Sequence, residues 1–209
     1  MTLAEPMTML TDYVLAGVTG WLGWRLWRGR QGQASRSRWA LAFAALTLAA
    51  LLGGTHHGFA PHLGESVLHL LWKATVLAVG GASFAMLAGS SIAMTTGRTR
   101  QMLLGLALAK LALYTGWMLF HDEFVYVIVD TGATMLGVAA LHAGPALRRG
   151  DRASRHLLAA VGVSVLAAGV QASGFALHRH FNHNDLYHVI QIVAMLLFYR
   201  GAAALCDRP

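Results

Sequence analysis

The sequence predicts an all-α integral membrane protein, a bundle of seven transmembrane helices with its N-terminus outside and its C-terminus in the cytoplasm. Three observations predict it. Of the 209 residues, 56% are hydrophobic and only 12% charged, whereas charged residues make up about a quarter of an ordinary soluble domain. The apolar residues gather in seven runs, most of them close to the ~20 residues that a spanning helix needs. The basic residues fall between those runs and are dense in every second loop, which is a topology signal.

The runs cover residues 7–27, 39–57, 67–88, 102–120, 124–141, 156–177 and 185–205. They use nearly the whole chain, so residues 1–209 are read as a single seven-helix domain. None alternates apolar and polar residues at period two, which excludes a β-barrel. The first loop carries Arg25, Arg28, Arg30, Arg36 and Arg38, the third Arg98 and Arg100, and the fifth Arg148, Arg149, Arg152 and Arg155. The second loop, residues 57–66, has no Lys or Arg, the fourth is His121, Asp122 and Glu123, and the sixth has only Arg179. Basic loops stay in the cytoplasm, so the odd loops are expected inside and the even loops outside. In a bacterium this arrangement corresponds to the inner (plasma) membrane. Trp21, Trp24 and Trp27 beside Arg25 read as interface anchors. Small residues, among them Gly80, Gly81, Gly162 and Gly169, allow close approach of helices in lipid.

The net charge of +7 is spread over the loops rather than gathered on one segment, so a nucleic-acid partner is not expected; membrane lipid is. The single cysteine, Cys206, excludes an intrachain disulfide and argues against a cysteine metal site. Residues 1–5 have no basic character, so the first helix itself is expected to direct insertion.

Given this topology, the eleven histidines are unevenly placed. His56, His57, His62, His69, His121, His178, His180, His183 and His188 fall at or near outer helix ends, and only His142 and His156 at inner ones. A deeper polar layer comprises Lys73, Tyr114, Asp130, Gln171 and Gln191, about 6 to 11 Å below the outer ends at 1.5 Å per residue. Ionisable groups at that depth are costly and are functional candidates by default. Asn184, His188 and Gln191 share one helix face, as do Glu65, His69 and Lys73. A polar cavity open to the outside is the expectation. His57, His69 and His188 come from three helices at similar depth, a set able to hold zinc with a water as fourth ligand. Such a zinc would lower the pKa of its water and polarise a carbonyl. Asp130 or Asp185 would serve as proton acceptor or as an outer partner of a ligand.

The segments Gly53-Gly54-Thr55-His56-His57 and Asn184-Asp185-Leu186-Tyr187-His188, with Asp12 early in the first run, resemble motifs of a superfamily of seven-helix membrane hydrolases and receptors. It contains the alkaline ceramidases, the adiponectin and progestin receptors and the Per1-like proteins. The resemblance implies a zinc held by three histidines and, from the ceramidase members, hydrolysis of a lipid amide. Asp12 stands where the family has an acidic residue, and His57 and His188 stand at two of the three metal positions. Gly53 replaces the family's Ser, Asn184 replaces the first His of the final pair, and the Asp of the third helix has no clear counterpart. His69 or His183 would then have to supply the missing imidazole.

Three functional classes follow. One is an intramembrane zinc-dependent hydrolase of a lipid amide or ester. The second is a b-type haem protein with His57 and His188 as axial ligands. The third is a non-enzymatic membrane component or partner subunit in which Lys73, Lys110 and Asp130 form a buried charge network.

Overall fold

Residues 2–208 are described by a computed structural model. They form α1 (Pro6–Arg28), α2 (Ala34–Phe59), a 3-10 turn (Ala60–His62), α3 (Glu65–Met94), α4 (Gly97–Met118), α5 (Phe124–Arg149), α6 (Arg152–Ser173) and α7 (His183–Ala203). Five of these are long and apolar enough to cross a membrane: α2 with its 3-10 turn, α3, α5, α6 and α7. The remaining two, α1 and α4, have comparable length, at 23 and 22 residues. Their hydropathy is diluted by Asp12, Arg25 and three tryptophans in α1 and by Lys110, Gln101 and two arginines in α4.

Several helix ends differ from the expected spans for local reasons. Helix α5 runs eight residues past 141, through Pro145; a proline removes one backbone donor, and here the helix continues regardless. It stops at Gly150, whose φ of 66° is left-handed, a conformation that costs glycine no Cβ clash. Helix α6 begins at Arg152 because Asp151 caps it, accepting from the backbone N–H of Ser154 at 2.8 Å.

Helices α1, α2, α3, α5, α6 and α7 pack in that order into a ring, and α7 returns to α1. Helix α4 stands outside the ring, against α3. The Tyr114 hydroxyl donates to the Val76 carbonyl at 3.0 Å, and its ring lies over Gly80, where a Cβ would be only 2.5 Å away. Lys110 of α4 is paired with Asp130 of α5. At the α4–α5 turn, Lys73 donates to the carbonyls of Met118 and His121 and lies 2.8 Å from Asp122. That ammonium holds the Asp122 carboxyl below the usual carboxylate range.

The two ends of the bundle differ in character. The arginine-bearing loops share one end, where the apolar core lies: Leu22, Leu26, Trp39, Phe43, Val138, Leu157 and Phe198 are almost fully buried there. At that end Asp207 accepts from the backbone N–H groups of Ala34 and Ser35 at 2.6 and 3.0 Å. It thereby caps α2 from the far end of the sequence. Arg36 reinforces the latch by donating to the Leu205 carbonyl at 2.7 Å. The outer surface of the ring and of α4 is apolar, with Leu113 and Leu136 about three-quarters exposed, as lipid contact requires.

At the other end α1 and α2 approach closely over Gly54, where a Cβ would lie 2.9 Å from the Asp12 Cβ and 3.0 Å from the Tyr13 ring. Gly54→Ala is therefore expected to lower stability by about 1–3 kcal/mol through overpacking. Gly17→Ala, on an open face of α1, should not lower it. Thermal unfolding of both variants in detergent checks this contrast.

Candidate functional site

The first two turns of α1 place Thr8, Thr11 and Asp12 on one face, because residues three and four apart are neighbours on a helix. All three are buried, and all three look toward α7. Thr8 donates to Asp185 Oδ1 at 2.9 Å. Asp185 also accepts from the Asn182 backbone N–H at 2.7 Å, while the Asn182 side chain accepts from the backbone of residues 184 and 185. This capping box fixes the start of α7. One turn deeper, Asp12 Oδ1 lies 3.3 Å from His188 Nε2, and Thr11 Oγ1 lies 3.0 Å from His188 Nδ1.

The protons of this cluster can be placed. The Thr11 hydroxyl donates to the Thr8 carbonyl at 3.0 Å, so toward His188 it offers a lone pair. His188 Nδ1 therefore carries a hydrogen. A contact between Nε2 and the Asp12 carboxyl then requires one further proton between them, carried by one group or the other. Asp12 and His188 are a unit holding one exchangeable proton.

That unit lies on the wall of a cavity of about 320 Å³. Other polar walls are His56, His57, Thr75, Gln171, Asn184, Tyr187 and Gln191, and the apolar ones include Leu15, Leu46, Trp72, Val79, Phe124 and Met195. Gln191 accepts from Ser164 and donates to the Tyr187 hydroxyl, both at 3.2 Å. Asn184 accepts from Gln171 at 3.3 Å, which leaves its own N–H groups for the cavity. His57 Nδ1 is 3.2 Å from Glu5 at the mouth, where the backbone N–H groups of Ala4 and Glu5 tie the N-terminal segment to the end of α2. A second cavity of about 390 Å³ lies between α3, α5 and α6 and shares Leu46, Val79, Phe124, Gln171, Tyr187, Gln191 and Met195 with the first. Its walls also include Ile128, Leu136 and Val165, which are exposed on the outside of the bundle. The polar site is thus continuous with an apolar cleft that reaches the lipid-facing surface.

Of the residues singled out from sequence, His57, His188, Gln171 and Gln191 do meet at the cavity. His69 does not: it is largely exposed and faces Asp122 at 3.9 Å. His183 is the first residue of α7 and is not a cavity wall. Asp185, a candidate proton acceptor, is instead a helix cap bonded to Thr8. Asp130, the other candidate, lies outside the cavity and pairs with Lys110. Lys73 turns to the α4–α5 turn and Tyr114 to α3, so the expected network of Lys73, Lys110 and Asp130 is two separate pairs. Reading from sequence gave Asp12 only a positional role and passed over Thr8, Thr11 and Tyr187. The spacing of Thr8, Thr11 and Asp12, three polar residues on one face of the first two turns of α1, is the signal that marks them.

The donors do not fit the three-histidine zinc centre that the resemblance implies. His188 has both ring nitrogens engaged, position 184 is asparagine, and His69 and His183 lie elsewhere. Among the described residues, no group of three or more His, Cys, Asp or Glu side chains is placed to hold a metal ion. An axial bond from His188 to haem would require it to give up one of these two contacts.

Removing one member of the Asp12–His188 unit strands the other in a poorly hydrated wall. Asp12→Asn and His188→Gln should each cost about 1–3 kcal/mol, and the double variant clearly less than their sum. Unfolding of the three variants in one detergent measures that coupling.

No curated protein and no solved structure matches the chain. A family model does match, over residues 7–207, which runs from the first turn of α1 to the Asp207 latch, and the chain belongs to that family, DUF6962, a family of unknown function.

Proposed function

We propose that the chain is an intramembrane hydrolase acting on the amide or ester bond of a membrane lipid. The observation that carries this reading is the Asp12–His188 unit on the wall of a polar cavity that continues into an apolar, lipid-facing cleft between α5 and α6. A lipid entering from the bilayer would lay its acyl chain along Val127, Met135, Val161 and Val165 in the cleft and bring its polar linkage to Asp12. With the shared proton on His188, Asp12 is a carboxylate; Oδ1 faces the imidazole, and Oδ2 is the general base. It takes a proton from water as the water oxygen attacks the carbonyl carbon. His188 is a positioning residue that balances the charge of Asp12. The Tyr187 hydroxyl, which accepts from Gln191, and the Asn184 amide are the available donors for the developing oxyanion. Collapse of the tetrahedral species breaks the C–N or C–O bond, and the proton returns from Asp12 to the leaving amine or alcohol. The products are a fatty acid and the deacylated lipid.

The test is fatty-acid release from a panel of N-acyl and O-acyl lipids by purified protein in mixed micelles. Asp12→Asn, with its fold verified, should lower turnover about 100-fold or more. Undiminished turnover in that variant, or no release from any lipid by the wild type, overturns the reading. Elemental analysis of the same samples adds an independent arm. A stoichiometric zinc lost in His57→Ala and His188→Ala would replace Asp12 with metal-bound water as the nucleophile's source.

The accompanying topology is seven spans in a bacterial plasma membrane, with the cavity outside and the arginine loops inside. The positive-inside rule supports it, as does the gathering of the arginine loops at one end. Cys206, exposed and the sole cysteine, reports it. A membrane-impermeant maleimide should label Cys206 in inverted vesicles and not in intact cells; the opposite pattern reverses the orientation.

A further inference from the structure

The end of the bundle remote from the cavity holds a separate cleft of about 300 Å³, between the ends of α3 and α5 and the C-terminal segment. Arg148, Arg149 and Arg208 line it, with Met94, Ala140 and Leu141 among its apolar walls. The backbone at Arg208 is pinned there: Arg100 donates to the Arg208 carbonyl at 2.6 Å and to the Thr95 carbonyl at 2.7 Å. Among the described residues, none of the three cleft arginines forms an ion pair. The acidic residues of this end are Asp151 and Asp207, and both are engaged as helix caps, on α6 and α2. Three arginines therefore line one cleft, and none of them is paired with an acidic side chain among the described residues. Positive-inside topology accounts for arginines at this end, but it does not account for three of them around a cavity with an apolar interior.

The chemistry that satisfies both features is a phosphate attached to an acyl chain. Guanidinium binds phosphate oxygens through paired N–H donors, and Met94 and Leu141 would cover the first methylenes of the chain. Pro145 adds a polar feature on the same wall. It has no N–H, so the Leu141 carbonyl lacks its helical partner and can accept from a headgroup hydroxyl. We propose that this cleft is a binding site for the phosphate headgroup of an anionic phospholipid, distinct from the cavity at Asp12.

The experiment is native mass spectrometry of the detergent-solubilised full chain titrated with phosphatidylglycerol, with phosphatidylcholine and with inorganic phosphate. One phosphatidylglycerol per chain, bound in preference to phosphatidylcholine, is expected. At about fivefold per guanidinium–phosphate contact, loss of all three predicts roughly 100-fold weaker binding in Arg148→Gln/Arg149→Gln/Arg208→Gln. The single variant Arg149→Gln should give an intermediate loss, which keeps the test meaningful if the triple variant does not fold. A control with the same charge change at a distance, Arg28→Gln/Arg30→Gln/Arg38→Gln, should bind as the wild type does. Equal loss in the control, unchanged binding in the cleft variants, or equal uptake of phosphatidylcholine overturns the proposal. Binding of inorganic phosphate as tight as that of the lipid would make the cleft a free-anion site and overturns the lipid assignment.

Discussion

The meeting of α1 with α7 is the contact on which the arrangement of the cavity depends. It joins the first helix of the ring to the last, and at the cavity end it is made by polar groups: Thr8 with Asp185, Thr11 and Asp12 with His188. In lipid there is no hydrophobic exclusion to hold two apolar helices together, so buried polar contacts and close packing must do it. Each contact here also has a second duty. Asp185 caps α7 while holding Thr8, and His188 orients Asp12 while closing the ring. Separating these helices would therefore unmake the cavity wall and the helix start together.

The bundle divides its labour along its axis. Toward the arginine loops it is solid, with Trp39 against Phe198 at 5.4 Å between ring centres and Leu22, Phe43 and Leu157 filling the space between helices. Toward the histidines it is hollow. A packed half can hold six helices in register while the other half leaves room for a ligand, since cores resist deformation. Helix α4 belongs to neither half. It hangs on α3 through Tyr114 and on α5 through Lys110, and it covers polar groups of α3 and α5 that would otherwise meet lipid.

How far the sequence reveals this depends on which property is asked for. The segregation of arginine and histidine ends was legible because loop charge is a one-dimensional signal, read in order along the chain. The rotation of each helix was not. Glu65, His69 and Lys73 do form a stripe, yet periodicity says only that they share a face and not which neighbour that face meets. The stripe meets the α4–α5 turn at Asp122 rather than the cavity. Asp130 was misplaced for the same reason: α4 lies outside the ring, so its lysine draws Asp130 away from the centre. His57 and His188 were found because their positions at helix ends on the ring leave them few other places to face. Asp12 was undervalued because its partner lies 176 residues away, and no local pattern announces such a pair.

The Asp207 latch bears on the order in which the molecule is assembled. The first turn of α2 has backbone donors with no partner in its own neighbourhood, because Gln33 offers no side-chain cap. They are met by a carboxylate made more than 170 residues later. Until the segment after α7 folds back onto it, the start of α2 has only solvent to cap it. The early hairpin and the segment around Asp207 are therefore sealed together, by one carboxylate.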